Sequence, residues 1–149
     1  MFLGFVSGLL TGVALTLLYG KVKARPALFK PAKGKVKMVL CVRTDLGMSK
    51  GKIAAQCGHA AYGLGMEAHK ANPQMVDQWS NNGEAKIALK VETAQELYAL
   101  QKKADKLGLM NHLVIDQGRT QIQPMSETVL SILGEAEVVD QVTGELGLL

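Results

Sequence analysis

A chain of 149 residues is long enough for one domain with a self-supporting core, and its 48% hydrophobic content excludes disorder as a reading of the whole. Two cysteines, Cys41 and Cys57, make neither a disulfide framework nor a Cys-x-x-Cys metal knuckle, and a reduced compartment is the plain inference. The net charge of +4 is uneven: seven basic residues and no acid lie between Lys21 and Lys37, and from residue 38 onward ten Lys and Arg meet thirteen Asp and Glu. The folded part is mildly acidic, so nucleic-acid binding must rest on local basic residues rather than on the isoelectric point.

Residues 1–20 carry no charged side chain, and Phe2 to Tyr19 is a mostly apolar run of eighteen residues. As a helix it would be about 27 Å long, close to the hydrocarbon thickness of a bilayer. A transmembrane signal anchor over 1–20 is expected, with Lys21, Lys23 and Arg25 holding the following domain in the cytosol. A cleaved signal peptide is the rival reading, but no basic n-region precedes the apolar run. Gly4, Gly8 and Gly12 have the four-residue spacing that lets two membrane helices approach, which makes a homodimer conceivable. Residues 21–35 hold Pro26, Pro31 and Gly34 among lysines and read as an extended linker able to lie on anionic headgroups.

The soluble domain is expected over 36–149. Val36 to Val42 is a nearly continuous apolar run ending at Arg43, the pattern of a strand covered on both faces. Ser49 caps an alanine-rich helix to about Ala71, Asn72-Pro73 breaks it, and a shorter helix passes through Val76 and Trp79 to the turn at Asn82-Gly83. Ile87, Leu89 and Val91 alternate as a second strand, and Thr93 caps a helix from Ala94 to about Leu107 that Gly108 ends. His112–Ile115 and Thr128–Leu133 make a third and a fourth strand with no long helix between them. The class is α/β, and a mixed sheet is expected rather than a wholly parallel one.

Two groups carry chemistry. At about 100° per residue, Lys52, Gln56, His59 and Gly63 share one arc of the first helix, beside an apolar arc of Ile53, Cys57, Ala60 and Leu64. This stripe opens after a strand, at the carboxyl end of the sheet where open α/β proteins bind ligands, although a polar helix face is more often merely solvated. The second group, Asp116, Gly118, Arg119, Thr120 and Gln121, follows the third strand. No G-x-S-x-G elbow is present, and no H-E-x-x-H spacing links His59, His69 and His112, so neither a serine nucleophile nor a metal-held water is supported.

The stretch from Val42-Arg43-Thr44-Asp45-Leu46-Gly47 through Lys52-Ile53-Ala54-Ala55-Gln56-Cys57-Gly58-His59-Ala60-Ala61 closely resembles the signature of the type 2 peptidyl-tRNA hydrolases of archaea and eukaryotes. Asp116-Gln117-Gly118-Arg119-Thr120-Gln121-Ile122 resembles their second signature, and Val139 to Leu146 their C-terminus. The resemblance implies a single compact domain with a four-stranded mixed sheet and helices on both faces. It implies hydrolysis of the ester of N-substituted aminoacyl-tRNA, with no metal and no cofactor. Position by position, the functional lysine falls on Lys52, the aspartate on Asp116 and the threonines on Thr120 and Thr128, with Gln56 and His59 in matching motif positions. Arg43, Lys50 and Arg119 lie near the motifs as candidate phosphate contacts. Eukaryotic members often carry an apolar N-terminal segment and are associated with mitochondria, which points to the mitochondrial outer membrane, with the endoplasmic reticulum as the alternative. Gln117, Met125 and Leu133-Gly134-Glu135-Ala136 depart from the family pattern, all in segments beside the site. A membrane-tethered, non-catalytic interaction module acting in cell-death signalling is the competing class of function.

Overall fold

The computed structural model describes residues 33–117 and 122–149. The segments 1–32 and 118–121, which include the expected span over 2–19, Arg119 and Thr120, lie outside the described residues.

β1 (Val36–Arg43) is buried along nearly its whole length, as its continuous apolar run requires, because it is an inner strand. The sheet has four strands in the order β2-β1-β4-β3, with β2 spanning Lys86–Val91, β3 Met110–Asp116 and β4 Ser126–Glu135. β2 runs parallel to β1, whereas β4 is antiparallel to both β1 and β3, so the sheet is mixed as expected. The parallel pair needs a crossover, which α1 (Lys50–Ala71) and α2 (Pro73–Asn81) supply; the β3–β4 pair needs none.

Each helix boundary has a local cause. The Ser49 hydroxyl accepts from the Lys52 amide at the start of α1. Asn72 closes α1 and opens α2, its side chain accepting from the Met75 amide while Pro73 sits where no amide donor is needed. Thr93 caps α3 (Ala94–Lys106) through the Glu96 amide, and Gly108, with φ of +67°, carries the chain out. A fourth helix, α4 (Ala136–Thr143), was not among the expected elements; Val139 and Val142 give it an inner face too short to register as a period.

Helices cover both faces of the sheet. On one, Leu64 and Ala68 of α1 and Met75 and Trp79 of α2 meet Val42 and Leu133. On the other, Leu97 and Ala104 of α3 and Val139 of α4 meet Cys41, Leu130 and Ile132. Leu107, near which the helix was expected to end, is the 40% exposed cap residue of α3. At one edge, residues 147–149 pair with β2 through Lys90 N to Gly147 O and Leu149 N to Ala88 O. At the other edge, no strand among the described residues pairs with the outer side of β3.

No helix among the described residues is long and apolar enough to cross a membrane.

Candidate active site

α1 lies across β3 and β4, and its buried ridge is Gln56, Ala60, Leu64 and Ala68. This corrects the expected division of the helix. Gln56 is 3% exposed and belongs with the core side, whereas Ile53 and Cys57 are only half-buried. Burial of an amide costs free energy at each end left without a partner. Here Nε2 donates to Asp116 Oδ1 at 3.1 Å, and Oε1 accepts from the Thr128 hydroxyl at 2.5 Å. A carboxylate can only accept, so the amide must turn its NH2 to Asp116 and its oxygen to Thr128.

The same carboxylate oxygen receives the Lys52 ammonium at 2.6 Å, and both side chains of this pair are close to nine-tenths buried. Lys52 and Gln56 are one helical turn apart and reach Asp116 together from α1. Asp116 is presented by strand alternation: Met110, His112, Val114 and Asp116 take every second position of β3 and face α1.

Thr128 stands where the ladder slips. Val114 pairs with Val129 and Ile115 with Glu127, so β4 takes one extra residue there, and that residue is Thr128. The bulge turns a wholly buried hydroxyl toward α1, against the alternation that the neighbouring Val129 and Ser131 already occupy on that face. Thr128 therefore touches Gln56 from behind and does not line the cavity in front.

That cavity, of about 560 Å³, runs between α1 and β3 from Lys52 and Asp116 to His59 and His112. His59 is exposed at its wall. His112 had no expected role, although strand alternation with Asp116 would have placed it on this face. Its Nδ1 lies 2.9 Å from Glu67 Oε1, and its ring packs so closely on Gly63 that a Cβ there would stand 2.6 Å from Nε2 and displace the imidazole.

Of the candidate phosphate contacts, Lys50 is exposed at the start of α1. Arg43 lies elsewhere, lining a second cavity of about 510 Å³ with Asp45, Met125 and Glu127. Its guanidinium is held at both Asp45 oxygens, at 3.0 and 2.6 Å, and at the Glu127 carbonyl at 3.0 Å. The hydrogen bond from Arg43 holds the Asp45 carboxyl below its ordinary range. No cluster of three or more His, Cys, Asp or Glu side chains suited to a metal ion occurs among the described residues.

A buried lysine–aspartate pair at a strand end, braced through an amide to a bulge threonine, defines an α/β protein with a charged site at one end of a groove and two imidazoles at the other. The model of the family described as Peptidyl-tRNA hydrolase PTH2 matches residues 36–149, and the chain belongs to that family. It is 51% identical over 118 residues to "Probable peptidyl-tRNA hydrolase 2" of Schizosaccharomyces pombe, covering 78% of this chain and 58% of that one. It is 47% identical over 116 residues to "Peptidyl-tRNA hydrolase 2, mitochondrial" of Homo sapiens, covering 77% of this chain and 65% of that one. Against "Peptidyl-tRNA hydrolase" of Thermoplasma volcanium, identity is 42% over 115 residues, covering 76% of this chain and 98% of the relative. The match thus spans about three-fifths of the yeast and human relatives and nearly all of the archaeal one. A solved structure of a protein of unknown function from Agrobacterium shares the fold, with a TM-score of 0.52 and 9% identity over 77% of this chain and 98% of that one.

Proposed function

We propose that the protein hydrolyses the ester between a peptide and tRNA, and that Lys52 and Asp116 carry the chemistry. The observation behind this reading is the 2.6 Å contact between two side chains 64 positions apart, inside a cavity and braced by Gln56. Relatives whose names state this activity support it.

Ester hydrolysis needs a positioned water, a proton acceptor and stabilisation of an oxyanion. In this mechanism Asp116 orients a water and takes its proton as the water oxygen adds to the ester carbonyl carbon. Lys52 stabilises the negative charge on the carbonyl oxygen. Collapse breaks the bond from the acyl carbon to the terminal ribose oxygen, which takes up the proton. The products are a tRNA with its ribose hydroxyl restored and a peptide carboxylic acid, which releases the second proton of the water to solvent as it ionises. Gln56 fixes the carboxylate, Thr128 fixes Gln56, and His59 and Thr120 contribute as second-rank groups at the water and ester. Lys50 and Arg119 are the phosphate contacts of the acceptor end; Arg43, engaged by Asp45, shapes the loop beside the site.

The same reading gives residues 2–19 a membrane-spanning role, with the domain on the cytosolic side and dimerisation through Gly4, Gly8 and Gly12. The human and mouse relatives carry "mitochondrial" in their names, which favours the mitochondrial outer membrane.

The test is hydrolysis of N-acetyl-aminoacyl-tRNA against unblocked aminoacyl-tRNA by the full chain in detergent. Selective cleavage of the blocked form is expected, with Lys52→Ala and Asp116→Ala each lowering turnover about 100- to 1,000-fold while the fold persists. Unchanged turnover in either variant, or none in the parent, overturns the proposal.

A further inference from the structure

The cavity that holds Lys52 and Asp116 is bounded on one side by β3, and among the described residues β3 is an edge strand. The ladder alternation decides which of its backbone groups face outward. The Asp116 carbonyl accepts from the Met125 amide, the Val114 carbonyl lies 3.4 Å from Thr128 Oγ1 and the His112 carbonyl 3.2 Å from Ser131 Oγ, so these three point toward β4. The N–H and C=O of Leu113 and Ile115 then point to the open edge, along the cavity. An unpaired row of donors and acceptors of this kind is a template for another extended chain.

We infer that the open edge of β3 binds the peptide part of the substrate as an added strand, by its main chain. The inference rests on the peptidyl-tRNA reading and states which half of that substrate lies in the groove. Charge along the described lining favours the peptide over the RNA half. Among the described residues Lys52 is the sole lysine or arginine in the lining and it is already paired with Asp116, while Glu67 stands behind His112, so the groove from Asp116 to His112 offers a phosphodiester little compensation. Ala55 and Val114 supply apolar walls for side chains of any kind. Main-chain pairing does not read side chains, which suits an enzyme that must accept peptides of any sequence.

Direction and length follow. The ester must reach Asp116, the last residue of β3, so the peptide's C-terminal end lies there and its chain runs parallel to β3. From Asp116 back to His112 is four strand residues, about 13 Å, and from Lys52 to His59 is seven helical residues, about 10 Å. The groove therefore holds three to four extended residues, with the two imidazoles at its far end. In a parallel pair, only every second residue of the added strand bonds to the edge.

The experiment uses the full chain and peptidyl-tRNAs bearing N-acetylated peptides of one to six residues, with each of the first three amide nitrogens methylated in turn. Expected are a rise in kcat/KM with length that levels off at three or four residues, and an alternating response to methylation. Methylation at the paired positions lowers kcat/KM about tenfold, mainly through KM, with little effect at the position between. Equal rates for methylated and unmethylated substrates, or no dependence on length, would overturn the added strand and leave the hydrolase reading standing. Failure to cleave any blocked aminoacyl-tRNA would remove both.

Discussion

The Thr128 hydroxyl donates to Gln56 Oε1 at 2.5 Å from the one position where β4 carries an extra residue. The amide so held turns its NH2 to Asp116, so a backbone irregularity sets the direction of a side chain in the site.

Replacing that hydroxyl should act at a distance from the substrate. Thr128→Val keeps the shape and leaves Gln56 Oε1 buried without a donor, a cost of about 1–3 kcal/mol in stability. With Gln56 loosened, kcat should fall by up to about 100-fold with KM little changed. Thr128→Ser should restore most of both. A valine variant with parental kcat would show that Gln56 does not position Asp116.

Met125 has φ of +64° and is 68% exposed, in the neck of the loop that its amide closes on Asp116 O at 2.7 Å. A side chain in this left-handed region costs about 1–2 kcal/mol, which glycine avoids. After the greater backbone freedom of glycine in the unfolded chain is subtracted, Met125→Gly should stabilise by roughly 0.5–1 kcal/mol in urea denaturation. A destabilised variant would locate the value of Met125 in its side chain.

The two thiols should respond differently to an alkaline disulfide reagent. Burial pushes Cys41 up to about 12, and Cys57, half-buried, is raised by the same cause. Reaction needs the thiolate. At pH 8 the native protein should show one slow thiol, Cys57, and Cys41 should react only as the chain unfolds. Two fast thiols in native buffer would contradict the buried position of β1.

Beside the second cavity, stability should depend on acid through two carboxyls. Arg43 lowers Asp45, and Glu127 is lowered first by the hydrogen bond from the Tyr98 hydroxyl. A depressed folded-state pKa gives stability that is present above the unfolded value, about 4, and is lost as pH falls through the folded one. Tyr98, raised by the same bond to Glu127, contributes the opposite limb, present below about 10 and lost as pH rises further. Urea midpoints measured from pH 2 to 7 should fall below about pH 4 less steeply in Arg43→Met than in the parent. Parallel curves would remove Arg43 as the cause.

The sequence by itself determined the elements whose causes are local. The apolar run of β1, the Ser49 and Thr93 caps, the break at Asn72-Pro73 and the turn at Gly108 each depend on neighbours a few residues away, and each stands where it was expected. The motifs around Lys52 and Asp116 also singled out two residues that do meet. Tertiary structure alone decided three further matters. It rotated α1 so that Gln56 is buried, because the partners that make burial tolerable, Asp116 and Thr128, are 60 and 72 positions away. It placed the extra residue of β4 at Thr128, because a bulge is a mismatch between two strands and neither strand's own period records it. It also left β3 at the edge, because strand order follows from which faces α1 and α3 cover, a long-range packing choice that leaves no trace in local alternation.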